Sequence, residues 1–149
     1  MSSFRHLSRQ LALQSLFYYH FNEEDREITP EESFEYVIDE FGKEVPEIEW
    51  AQALFEGIVI KTEELNETIQ KYAPDWPIDK IARLDLHILQ MGVYELLECK
   101  DIPPLVAINE AVELSKEFGD LNSSKFINGV LSAVAHDKIG KENLNTPKK

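Results

Sequence analysis

The chain has 149 residues, a length that suits one domain able to bury roughly 68 to 70% of its unfolded surface, so a packed core needs no covalent staple. Fifteen Lys and Arg against 28 Asp and Glu leave a net charge of -13, which excludes non-specific coating of duplex DNA or anionic membrane but not a local basic site. The lone Cys99 excludes an intrachain disulfide, and no apolar run is long enough for a signal peptide or a membrane span, so the expected compartment is the reducing cytoplasm.

The pattern is helical throughout. A first helix is expected over residues 3–21, apolar nearly all round from Leu11 to Tyr19, which implies burial of everything but its first two turns. Those turns carry Arg5, His6, Arg9 and Gln10. In Thr29-Pro30-Glu31-Glu32 a hydroxyl stands at the N-cap, Pro at the first helical position and an acid at the third, a capping box that opens a helix running to about Phe41 and ending at Gly42.

A long helix from about Pro46 to Tyr72 follows, on which Trp50, Leu54, Ile58, Lys61 and Leu65 share one face. Pro74 and Pro77 then bracket Asp75-Trp76 and break the chain, which sets the boundary between a first helical subdomain, 3–73, and a second, 77–139. A short helix from Ile78 to Leu84 and another from Asp85 to Cys99 come next, the latter with Ile88, Leu89, Val93, Leu96 and Leu97 on its apolar face. Pro103-Pro104 starts a helix that ends near Gly119, and Asn122 caps the last one, which carries Phe126, Val130, Leu131 and Val134 to about Ile139. Residues 140–149 read as a disordered tail. The expected fold is all-α, a single domain over 1–139 with about seven helices in two small bundles packed against each other.

Charge is distributed unevenly. Residues 1–20 hold two Arg and no acid, 21–72 hold 4 bases against 16 acids, 73–121 hold 4 against 10, and 122–149 hold 5 against 2. Both ends are basic, so an anion-binding surface should draw on the two termini together. Nothing in the chain signals chemistry. Carboxylate pairs occur everywhere, so spacing nominates no general acid or base. The four histidines, His6, His20, His87 and His136, make no i, i+4 pair and no HExxH, and are expected at the surface or half-buried with no metal bound. Nucleophile and phosphate-loop signatures are absent, so neither an enzyme nor a cofactor is expected, and Cys99 beside Leu96 and Leu97 reads as a small packed hydrophobe.

Three stretches together resemble the NusB family of transcription antitermination factors. The first is Arg5-His6-Leu7-Ser8-Arg9-Gln10-Leu11-Ala12-Leu13-Gln14-Ser15-Leu16-Phe17, similar to the family's basic start followed by A-x-Q-x-L-[YF]. The second is Asp101-Ile102-Pro103-Pro104 leading into Val106-Ala107-Ile108-Asn109-Glu110-Ala111-Val112-Glu113-Leu114-Ser115-Lys116. The third is Phe118-Gly119 with Ser124-Lys125-Phe126-Ile127-Asn128-Gly129-Val130-Leu131. Their order and spacing match over about residues 3–137.

The resemblance implies two perpendicular three-helix bundles and an RNA-binding adaptor that catalyses nothing. The adaptor pairs with NusE, a small-subunit ribosomal protein, and binds the single-stranded boxA segment of nascent RNA, so that the elongation complex on ribosomal RNA operons passes termination signals. Single-strand recognition needs a few cations for phosphates and a planar group for stacking. By the same resemblance, Arg5, His6 and Arg9 at one end and Asn122, Ser124, Lys125 and Phe126 at the other are expected to meet RNA. Phe126 is four residues from Val130 and reads equally as core on spacing alone. Asp79 and Asp85 match acidic positions on the NusE-facing surface. Asn109, Glu110 and Asn128 are read as structural hydrogen-bonding positions, with Asn128 and Gly129 allowing close helix packing. The family often has three or more Arg at its start, whereas here His6 takes one position and two Arg remain, which implies weak, partner-dependent RNA binding. The alternative is a protein-interaction module of the same fold, homodimeric and without RNA binding.

Overall fold

A computed structural model describes residues 4–22, 27–42, 44–119, 121–140 and 143–144. Two compact units divide between Ile60 and Lys61. Among the described residues there are seven α-helices and no strand, as the periodicity requires.

The first unit holds α1 (Phe4–Phe21), α2 (Pro30–Val37) and α3 (Ile48–Ile60). α1 packs on both α2 and α3, and its Leu11, Leu13 and Leu16 are buried with Phe34 and Val37 of α2 and Leu54, Phe55 and Ile58 of α3. The Phe34 and Phe55 rings stack at 6.1 Å. The capping box forms as expected: Thr29 Oγ1 accepts from the Glu32 N–H at 3.1 Å, and Glu32 Oε1 accepts from the Thr29 N–H at 3.3 Å. Beyond Val37 the helix departs from expectation, because residues Ile38–Gly42 widen into a π-helical turn. The wider turn carries Phe41 off the face shared by Phe34 and Val37 and leaves it 61% exposed. Burial in α1 also reaches further than expected: Ser8 and Arg9, in the first two turns, are enclosed.

The second unit holds α4 (Thr62–Tyr72), one 3-10 turn at Ile78–Lys80, α5 (Arg83–Glu98), α6 (Pro104–Phe118) and α7 (Leu121–Lys138). The long helix expected over Pro46–Tyr72 is therefore two helices, interrupted at Lys61, whose φ of -101° and ψ of 15° leave the helical range. α4 packs on α5 and α7, where its Leu65 and Ile69 are buried, and Lys61 pairs with Glu98 of α5. The unit boundary thus falls at 60/61 instead of 73–77, since α4 finds its apolar partners in the helices that follow it. The Pro74–Pro77 segment is a turn inside the second unit, clamped by one side chain: Gln70 Nε2 donates to the Ala73 and Trp76 carbonyls at 3.1 and 2.8 Å, and Gln70 Oε1 accepts from the Ile78 N–H at 3.0 Å. The helix expected over Ile78–Leu84 shortens to the single 3-10 turn because Ile81 is extended.

α5 is the central helix of this unit, buried from Leu86 to Val93 and packed on α4, α6 and α7. Gly92 permits the α5–α7 approach, for a Cβ there would stand 2.5 Å from Leu131 Cδ1. That role was expected of Gly129, where an added Cβ meets nothing within 4 Å; Asn109 and Asn128 are exposed as well. His87 is fully buried where a surface or half-buried position was expected, with Nδ1 3.1 Å from Gln90 Oε1 while Gln90 Nε2 donates to Asn66 Oδ1 at 2.9 Å. This polar chain satisfies groups that would be costly to bury alone. The Tyr72 hydroxyl donates to the Asp137 carboxylate and ties α4 to α7; the bond holds the Asp137 carboxyl below its ordinary range and pushes the Tyr72 hydroxyl up. Cys99 ends α5, half-buried. Part of the tail expected to be disordered has a contact: the Leu144 carbonyl accepts from the Leu105 N–H at 3.0 Å, serving an α6 N-terminus that has no side-chain cap. Residues 141–142 and 145–149 of that tail lie outside the described residues. No helix among the described residues is long and apolar enough to cross a membrane.

Candidate functional site

In the first unit Arg5, His6 and Arg9 share the start of α1 as their spacing requires, but their environments differ. Arg9 is only 2% exposed, and its guanidinium lies 5.1 Å from the centroid of the Trp50 ring. Arg5 is half-buried, 4.6 Å from the same centroid, and its Nε donates to Glu47 Oε2 at 3.2 Å. His6 is half-buried, with Nε2 3.4 Å from Gln10 Nε2. Arg5 is therefore the more accessible guanidinium of the two, ion-paired with Glu47, and Arg9 is a core cation on an indole. Sequence reasoning missed Trp50 and Glu47 as members of this group; an aromatic at the start of α3 reads as core until its neighbours are known.

In the second unit the start of α7 faces the turn before α5 across a cleft of about 380 Å³, lined by Trp76, Lys80, Ile81, Ala82, Asp85, Asn122, Ser123 and Phe126. Trp76 and Phe126 meet edge to face at 6.0 Å, and Trp76 is 54% exposed, so the pair offers an open aromatic wall. Asn122 was expected to be the cap of the last helix. It lies one residue inside it, since α7 begins at Leu121, and with Ser123 it belongs to the first turn, where backbone N–H groups favour an anion. Lys125 is exposed. Ser124 is buried and its Oγ lies 2.8 Å from Ser115 Oγ, so it joins α7 to α6 and does not face solvent. Gly119 ends α6: a Cβ there would stand 2.9 Å from the Ser115 carbonyl oxygen, so the chain leaves the helix this closely only without a side chain.

Asp79 is exposed in the 3-10 turn, and Asp85 is half-buried on the cleft wall. Sequence reasoning passed over Trp76, Lys80, Ile81, Ala82 and Ser123 of the cleft, Trp76 being the one with a readable signal. The available signal was an apolar ring stranded between two prolines, where a helix core cannot use it. Among the described residues no group of three or more His, Cys, Asp or Glu is placed to hold a metal ion.

The NusB family pattern matches residues 6–136. The chain belongs to the NusB family. It is 38% identical over 136 residues to the transcription antitermination protein NusB of Oleidesulfovibrio alaskensis, covering 90% of this chain and 88% of the relative. It is also 38% identical over 133 residues to the NusB of Bacillus subtilis, covering 89% and 95%. Among solved structures, NusB from T. maritima superposes with a TM-score of 0.80 at 32% identity over 96% of this chain and 98% of that one. A crystal structure of the antitermination factors NusB and NusE in complex with dsRNA contains a chain with a TM-score of 0.79 at 29% identity, covering 92% and 99%. The all-α NusB fold expected from the sequence is the fold observed.

Proposed function

We propose that this NusB-family chain is a non-catalytic RNA-binding adaptor of the cytoplasm. It pairs with NusE and binds boxA-type single-stranded RNA in nascent ribosomal RNA transcripts, helping the elongation complex through termination signals. The observation that carries the RNA contact is the cleft of the second unit, where an aromatic wall, the Lys80 cation and the first turn of α7 converge. A splayed base stacks on an exposed ring, its phosphate is held by helix N–H groups and a nearby ammonium, and no general acid or nucleophile is involved. Lys125 adds a phosphate contact and Arg5 a second one at the α1 edge. Arg9, His6 and Ser124 act by holding these groups in place. Support for the NusE pairing comes from Asp79 and Asp85, whose carboxylates suit a basic ribosomal protein by charge complementarity, and from the solved NusB relative that carries NusE.

The test is fluorescence anisotropy with a labelled boxA RNA, read with and without NusE. The pair is expected to bind far more tightly than the chain alone; equal affinity overturns the adaptor reading. A duplex of the same sequence is expected to compete poorly, and equal competition replaces the single-strand reading with a duplex one. Few cations are involved, so the salt dependence is expected to be shallow, each neutralised phosphate adding about -0.7 to the logarithmic slope.

A further inference from the structure

The Arg5 guanidinium has a carboxylate of its own chain where a phosphate would sit. Glu47 Oε2 accepts from Arg5 Nε at 3.2 Å, and the planar guanidinium fork lies over Trp50. Carboxylate and phosphate oxygens suit that fork alike. Glu47 is also the one described non-glycine residue with positive φ, at 53°. Such a backbone persists only where the surroundings hold it. Here Ser8 Oγ donates to the Pro46 carbonyl at 2.6 Å, from the helical turn between the two arginines, and fixes the segment that presents Glu47. The Arg5 and Glu47 side chains are 29% and 44% exposed, so the pair is open to a competing anion and weak enough to exchange. Arg9, enclosed on the same indole, keeps Trp50 in place whichever partner Arg5 takes.

We propose that Glu47 is a built-in competitor of RNA: its carboxylate occupies the Arg5 guanidinium in the free chain and is displaced by a backbone phosphate on binding. This rests on the reading that the α1 edge meets RNA. Glu47 then acts as a positioning residue twice over, keeping Arg5 seated on Trp50 while the site is empty and lowering the affinity of the chain for RNA. No covalent change is involved, only exchange of one anion for another on the same donor.

The experiment is a double-mutant cycle on the full chain with NusE, using single-stranded boxA RNA and anisotropy: the unaltered chain, Glu47→Gln, Arg5→Gln and both together. Far-UV circular dichroism and thermal melts check that each variant folds. Glu47→Gln is expected to tighten RNA binding by about 2- to 5-fold, the range of an exposed ion pair, and to lose that gain in the Arg5→Gln background. Glu49→Gln, which removes a carboxylate two residues away, is expected to give no comparable gain. Equal tightening in both backgrounds overturns the proposal, because the carboxylate then acts through its field alone. Weakened binding in Glu47→Gln also overturns it, because Glu47 then orients Arg5 for RNA. If Arg5→Gln by itself leaves RNA affinity unchanged, the α1 contact is the part that fails and the inference falls with it.

Discussion

Replacing Gly92 with alanine tests how closely α5 and α7 must approach to form the cleft between Asp85 and Phe126. An ideal Cβ at Gly92 stands 2.5, 2.8 and 3.2 Å from Leu131 Cδ1, Cδ2 and Cγ. Packed carbon atoms sit about 3.5–4.0 Å apart, so the methyls must retreat by about 1 Å. Because the branching Cγ is engaged, rotating the isopropyl group gives no relief, and Leu131 is fully enclosed. Overpacking of this kind costs about 1–3 kcal/mol, offset by about 1 kcal/mol from the better helix propensity of alanine, which leaves a net loss of about 1 kcal/mol. In a Leu131→Ala background, itself about 2–5 kcal/mol less stable, the same substitution is relieved of these three contacts and should stabilise by about 1 kcal/mol. The coupling between the two positions is therefore about 2 kcal/mol with a change of sign. Urea denaturation of the four proteins, followed by circular dichroism with m held common, measures it. Equal destabilisation by Gly92→Ala in both backgrounds refutes the close-approach argument. RNA affinity of Gly92→Ala in the NusE complex should fall as well, since Asp85 and Phe126 ride on the two helices being pushed apart.

Removing the exposed ring in Trp76→Ala should weaken RNA binding by about 1–3 kcal/mol, some 5- to 150-fold by anisotropy; unchanged affinity takes Trp76 out of the RNA path. Tyr72→Phe should alter the pH dependence of stability. With the Asp137 carboxyl held below its ordinary 3.8 and the Tyr72 hydroxyl above its ordinary 10.0, the pair stabilises fully between those values, and its contribution is lost as pH falls through the lowered Asp137 pKa or rises through the raised Tyr72 pKa. The difference between Tyr72→Phe and the unaltered chain should accordingly be constant near neutral pH and shrink at both extremes, and a difference that persists unchanged at pH 2 contradicts the pairing. Thr29→Ala opens the capping box of α2 and should cost about 1 kcal/mol in urea denaturation, with faster amide exchange confined to the first turn of that helix. Truncation after Gly140 removes the Leu144 carbonyl from the α6 N-terminus and should cost about 1 kcal/mol; no change means that water replaces the bond without loss.

What the sequence determined by itself was local. The Thr29 to Glu32 box, the Pro104 start of α6 and the apolar face of α5 carry their causes within a few residues, so the helices could be read from spacing and caps alone. The motifs running from Asp101 to Leu131 were legible for the same reason, and they carried the family. Tertiary structure decided which helix each apolar face would meet. Leu65 and Ile69 looked the same whether α4 closed the first bundle or the second, and only their burial on α5 and α7 moved the boundary to Lys61. Periodicity states that a face is buried but not against what. Arg9 became a core cation because Trp50, 41 positions away, covers it, and Gly92 rather than Gly129 turned out to be the contact glycine because Leu131 points at it. The cleft likewise needed Trp76 brought to Phe126 across 50 residues of chain. Each of these is a pairing between distant residues, and a linear pattern holds no record of distance in space.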